Sequence, residues 1–124
     1  MGDFILEGSA KTPVVELKSS GDLLLKGRSI PENSIEFYKP LIEWIESYSE
    51  SPNSSTVLNV QLEYFNTSSS KCILDVFKKL ESVTGSEVSV KWYYEEDDED
   101  MLEAGEDYEA IIDLPFEMIE VEEI

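Results

Sequence analysis

The 124-residue chain has no histidine, a single cysteine and only 9 lysines and arginines. Without histidine there is no Ser-His or Cys-His nucleophile pair and no histidine-ligated metal site. Cys72 has no partner for an internal disulfide, which fits a reducing compartment. The few cations face 28 acidic residues, a formal charge of −19. That balance argues against nucleic acid and membrane surfaces as direct partners, because lysine and arginine make those contacts. No stretch approaches the roughly 20 apolar residues of a membrane span. Met1–Glu7 lacks the basic start and apolar core of a signal peptide. The six glycines are scattered and form no phosphate-binding loop. The expectation is a soluble, cytoplasmic protein of one domain, residues 1–124, with no metal and no cofactor.

What is present is enough for a core: 41% apolar residues and thirteen aromatics, too many for a chain disordered throughout. The charge is concentrated at one end. From Glu95 to Ile124 there are 15 acidic residues and no lysine or arginine. Residues 1–94 hold 13 acidic and 9 basic residues, a net of −4. The run Glu95-Glu96-Asp97-Asp98-Glu99-Asp100 lacks the glycine and terminal-glutamate spacing of an EF-hand loop. It suits a solvated loop leading into a helix start. An acidic surface for a basic partner is the alternative.

Hydrophobic periodicity orders the chain. Residues 13–18 and 22–26 flank Ser19-Ser20-Gly21 as a hairpin, with Phe4-Ile5-Leu6 as a short edge strand. A helix runs from the Pro31-Glu32-Asn33-Ser34 start signals to about Ser49. Its apolar stripe is Ile35, Tyr38, Ile42, Ile45 and Tyr48, beside a second stripe of Phe37, Leu41 and Trp44, with a kink or a restart expected at Pro40. Thr56–Phe65 alternates, with Leu58, Val60, Leu62 and Tyr64 facing inward. Asn66-Thr67-Ser68-Ser69 then opens a second helix with Cys72, Ile73, Val76, Phe77, Leu80 and Val83 inside and Gly85 as its C-terminal cap. Glu87–Tyr94 is another alternating strand. Met101 to Ile112 suggests a third helix, and Phe116–Val121 a last edge strand that leaves monomer and homodimer both open. The alternating order predicts an α/β domain: one mixed sheet, right-handed crossovers, and helices packed mainly on one face.

Two polar segments precede helices: Pro31-Glu32-Asn33-Ser34 and Asn66-Thr67-Ser68-Ser69. Thr67 or Ser68 suits an N-cap. The same place suits a phosphate, because a helix start has free N–H donors and a partial positive charge. A phosphorylated Thr67 or Ser68 would add about −1.5 to −2 charge there and alter the surface without refolding the domain. Enzyme readings find no support. Ser70 and Lys71 are adjacent and diverge on a helix, no carboxylate pair is singled out, and Cys72 falls on an apolar helix face.

With Tyr64-Phe65-Asn66-Thr67-Ser68-Ser69, the upstream Pro31-Glu32-Asn33-Ser34 and the aromatic strand Val90-Lys91-Trp92-Tyr93-Tyr94, residues 4–121 resemble the SiaC family of bacterial regulatory phosphoproteins. The resemblance implies a STAS-like fold, similar to anti-sigma-factor antagonists, and a non-enzymatic adaptor in a partner-switching pathway. It implies phosphorylation of Thr67 by a dedicated kinase and reversal by a metal-dependent serine/threonine phosphatase. The unmodified form would bind an effector, a diguanylate cyclase, in cyclic-di-GMP and biofilm signalling. Asn66, Ser68 and Ser69 carry over as the supporting neighbours of the phosphosite. Glu32, Asn33, Ser34 and Lys71 are the expected partner-facing residues. The strong acidic run of 95–124 departs from the family pattern and keeps the second reading in view: an acidic decoy that binds a basic protein independently of phosphorylation.

Overall fold

The computed structural model describes residues 2–124. Six strands and three helices follow in the order β1 (Phe4–Leu6), β2 (Val14–Leu17), β3 (Asp22–Ser29), α1 (Ser34–Tyr48), β4 (Ser55–Phe65), α2 (Thr67–Glu81), β5 (Glu87–Glu95), α3 (Glu99–Ile111) and β6 (Phe116–Val121). The strands form one sheet in sequence order. The first three are antiparallel neighbours, and β3 through β6 are parallel. Three crossovers thus step in the same direction. Right-handed crossovers of that kind place their helices on the same side of a sheet.

Burial agrees with this layering. Leu23, Leu25, Leu58, Val60, Leu62, Val90 and Trp92 are at most 1% exposed, and they alternate with half-buried or exposed neighbours on the other face. The helices cover the first face with Tyr38, Leu41, Ile45, Ile73, Phe77 and Leu80. Tight approaches shape the ends of the sheet. The β2–β3 turn holds Gly21 at φ +100, and a Cβ there would lie 2.2 Å from the Ser55 carbonyl oxygen. Only glycine allows that approach without strain.

Four expectations shift. α1 continues through Pro40 and does not restart there. Ile35 is 77% exposed, because the α1 face toward the sheet centres on Tyr38, Leu41, Ile45 and Tyr48. α2 ends at Glu81 with Ser82 as its cap, so Gly85, at φ +83, lies in the loop beyond and does not cap the helix. Tyr64 is 51% exposed, where alternation placed it inside. The β3–β4 register slips between Gly27 and Arg28: Gly27 pairs with Leu62 and Arg28 with Tyr64, leaving Glu63 extra. An inserted residue reverses the facing of the residues beyond it. Phe65 therefore turns to the helices, with its ring 6.1 Å from that of Trp92. Tyr64 instead lies under the Arg28 guanidinium at 5.9 Å.

The acidic run has a local structural use. Asp98 caps α3, its Oδ1 accepting from Met101 N at 3.0 Å, and Glu99 and Asp100 occupy the first turn. Carboxylates there compensate the positive helix end.

Candidate functional site: two helix starts joined by hydroxyls

The parallel strands β3 and β4 end side by side, and each chain end turns at once into a helix. The Asn66 N–H donates to the Ser29 carbonyl at 3.0 Å, fixing the two strand ends together. Both helices are capped alike. Asn33 Oδ1 accepts from Glu36 N at 3.1 Å, and Asn66 Oδ1 accepts from Ser69 N at 2.9 Å. The cap of α2 is thus Asn66, where the sequence suggested Thr67 or Ser68. An asparagine side chain reaches the third amide of the helix from an extended backbone, and Asn66 has that backbone, at φ −84 and ψ 173. Asn66→Ala should cost about 1 kcal/mol, read as a lower urea midpoint with an unchanged slope.

The hydroxyls that follow the caps have separate fates. Ser69 is fully buried; its Oγ donates to the Ser29 carbonyl at 3.0 Å and accepts from Ser29 Oγ at 2.9 Å. Since the Ser29 proton goes to Ser69, Tyr38 OH donates to Ser29 Oγ at 2.6 Å. Ser34, 4% exposed, lies 2.8 Å from Ser68 Oγ and 3.3 Å from Ser69 Oγ. Ser68 also donates to Asn66 Oδ1 at 3.2 Å. A chain of hydroxyls therefore runs from buried Tyr38 through Ser29, Ser69 and Ser34 to Ser68 at the surface. Buried polar groups need such partners, and among the described residues no buried side-chain polar atom is left without one.

Thr67 is outside this chain. It is the first residue of α2 and exposed, and its hydroxyl has no hydrogen-bond partner among the described residues. The Ser69 N–H goes to the Asn66 side chain and the Ser70 N–H to the Asn66 carbonyl. That leaves the Thr67 and Ser68 N–H groups free at the helix start, as helix geometry requires of its first turn. The first turn of α2 carries no carboxylate, whereas α1 has Glu36 and α3 has Glu99 and Asp100. In a chain of 28 acids, this helix end keeps its positive partial charge. Lys71, one turn on, is exposed on the same side of the helix.

The expected site residues thus divide. Thr67, Asn66, Ser68 and Ser69 come together at one helix start. Glu32, Asn33 and Lys71 are exposed around it, while Ser34 lies inside, holding α1 to α2. Ser29 was absent from the sequence reading, and Tyr38 stood there only as part of an apolar stripe. Nothing in spacing links residue 29 to residue 69; their contact follows from the parallel pairing of β3 and β4.

Burial pushes the Tyr38 phenol up to about 12, and nearby Cys72 adds to the rise. Tyr108, whose OH donates to the Ser70 carbonyl at 2.8 Å, is also raised, again chiefly by burial. A raised phenol favours the protonated form in the folded chain. Its stabilisation is complete below pH 10.0, the ordinary value, and is lost as pH rises toward about 12. Urea midpoints should fall over that window together with a rise in tyrosinate absorbance, and Tyr38→Phe should remove part of the fall, the raised Tyr108 keeping the rest. Burial likewise raises the Cys72 thiol, with Asp75 adding to the effect. A buried thiol of that kind is a poor nucleophile.

These features define a small mixed α/β protein whose distinctive polar site is a free hydroxyl at one of two abutting helix starts. The model for the SiaC family of regulatory phosphoproteins matches residues 6–121, and the chain belongs to that family. It is 32% identical over 119 residues to an uncharacterized protein of Pseudomonas aeruginosa strain UCBPP-PA14, covering 94% of each chain. The structure of SiaC of Pseudomonas aeruginosa superposes with a TM-score of 0.88 at 29% identity, over 98% of this chain and 100% of that one. The crystal structure of the diguanylate cyclase SiaD in complex with its activator SiaC, also from Pseudomonas aeruginosa, contains a chain that superposes with a TM-score of 0.86 at 30% identity, over 96% of this chain and 100% of that one.

Proposed function

We propose that this regulatory phosphoprotein is a partner switch set by phosphorylation of Thr67, and that its unmodified form binds and activates a diguanylate cyclase. The reading rests first on one observation: of the hydroxyls at the α2 start, Thr67 alone is both exposed and unbonded among the described residues. A kinase can reach it without breaking the fold. Two free N–H groups and a helix end lacking carboxylates favour the phosphate once formed. The buried hydroxyl chain beneath holds the helix start in place, so modification changes the surface and not the core. A cytoplasmic adaptor without catalysis of its own follows from this reading, with a kinase and a serine/threonine phosphatase as the enzymes that set its state. The cyclase as effector is supported by the neighbour's description as activator of SiaD.

The test is phosphate mapping. The chain is incubated with ATP and the dedicated kinase that this reading requires, and the modified peptide is sequenced by mass spectrometry. Phosphate on Thr67 is the expected result. Phosphate confined to other residues, or none, overturns the reading.

A further inference from the structure

A trough that the phosphosite itself does not explain runs between the end of β4 and the length of α3. Two adjoining depressions, about 230 and 270 Å3, share Phe65 and Ala104. Their α3 wall is built from Met101, Ala104, Tyr108 and Ile111, which recur at three- and four-residue steps on one helix face. Ile111 is 54% exposed, an apolar side chain with no core to enter. The rim carries Glu63, Asp98, Asp100 and Asp107, and neither lysine nor arginine lines either depression. None of these four acids is in an ion pair among the described residues, where the pairs involve Glu16, Glu81 and Glu46.

We infer that this trough docks a basic amphipathic segment of a partner protein, with apolar side chains over Phe65, Ala104 and Ile111 and flanking lysines or arginines against the carboxylate rim. The spacing of the charges selects the occupant. Asp98 to Asp107 spans nine helical steps, about 14 Å at 1.5 Å each. That suits cations spread along a segment better than one metal ion. No group of three acidic or cysteine side chains among the described residues is close enough for a metal. A second copy of this chain would bring the same acidic segment, 15 carboxylates without a cation, against itself. A basic segment gains both apolar burial and opposite charge. The docking does not depend on Thr67 being modified. On the Thr67 reading, a phosphate between Phe65 and Ser70, both of which line the trough, would extend the acidic rim and not cancel it.

The probe is a short labelled peptide of leucine and lysine with its leucines on one helical face. Two controls replace either every lysine by glutamate or every leucine by alanine. Binding to the full unmodified chain is followed by fluorescence anisotropy, and the contact surface by amide shifts in NMR. The leucine–lysine peptide should bind with shifts centred on Phe65, Ala104 and Ile111. Its affinity should fall at least about tenfold when salt is raised well above physiological strength, since rim charges are screened there. Asp100→Lys with Asp107→Lys, and separately Ile111→Ser, should each weaken it at least about fivefold. Ile35→Ser, on the exposed apolar residue of α1, should leave it unchanged. Shifts centred on the depression that Ile35 and Ile42 of α1 form with Asp75 of α2, or on the open sheet face, equal binding of the glutamate peptide, or equal binding of the alanine peptide would each overturn the proposal. The wild-type shift map decides the matter even if a rim variant fails to fold.

Discussion

On the proposed switch, Thr67→Ala is expected to abolish phosphate incorporation and to leave the chain bound to the proposed cyclase effector whatever the kinase does. Wild-type chain treated with kinase and ATP should lose at least about tenfold in affinity, or about 1.4 kcal/mol. The alanine variant should keep its unmodified affinity within about twofold before and after the same treatment. The size follows from adding about −1.5 to −2 charge, which an interface must leave solvated or pair. The variant should remain folded, because Thr67 is neither the cap nor a hydrogen-bonded member of the hydroxyl chain. Exposed substitutions of this kind stay within about 0.5 kcal/mol of wild type. Thr67→Asp should fall between the two states, with one charge in place of nearly two, and Thr67→Ser should still accept phosphate. Calorimetric titration before and after kinase treatment reads all four. Equal phosphate-induced weakening in the alanine variant would move the switch to another residue.

Reading the elements from sequence works here because the hydrophobic periods are clean. All six residues expected inside α2 are buried, and Val88, Val90 and Trp92 occupy the inner face of β5 as alternation requires. The reading fails where a long-range pairing intervenes. Tyr64 obeys period two within its own strand, but the register slip opposite Gly27 turns it outward, and that slip is a property of two strands. Ile35 obeys the helical period too, but it lies to one side of the α1 face that meets the sheet, which runs through Ser34, Tyr38, Leu41, Ile45 and Tyr48. The cap of α2 falls one residue before Thr67, because Asn, Thr and Ser all suit a cap and only backbone geometry separates them.

The candidate site was legible as a motif and not as a network. Thr67 and its neighbours stand in one tetrapeptide before a helix. The division of labour among them does not. Ser68 and Ser69 have the same composition, yet one is exposed and the other fully buried, because successive residues on a helix point about 100° apart. Ser69 therefore supports the helix start from below, and the Thr67 hydroxyl is left exposed and unbonded among the described residues. The acidic segment was legible as charge but not as shape. Part of it caps α3, and part rims a trough whose floor comes from the distant residue Phe65.

The largest expected loss of stability lies at Gly105, a residue with no polar chemistry. It is buried in the middle of α3, where the helix crosses Trp92. A Cβ there would stand 2.6 Å from Trp92 Cδ1 and 2.7 Å from its Nε1, and 2.6 Å from Met118 Cε. The methionine end can swing away. The indole cannot: it is fully buried, its N–H donates to the Met101 carbonyl at 2.9 Å, and its ring meets those of Phe65, Tyr108 and Phe116. Gly105→Ala must therefore lift α3. Alanine gains about 1 kcal/mol over glycine in a helix, but overpacking against a fixed ring costs up to about 3 kcal/mol or more. The net loss should be about 2 kcal/mol, lowering the melting temperature by roughly 5–12 °C. Adding Met118→Ala should restore only part of it; full restoration would show that the indole yields. Lifting α3 also pulls Tyr108 from the Ser70 carbonyl, in the first turn of the helix that begins at Thr67. Amide exchange in that turn should then rise in Gly105→Ala more than exchange at Val60 in the centre of β4, because the turn loses its tie to Tyr108 while Val60 keeps its place between β3 and β5.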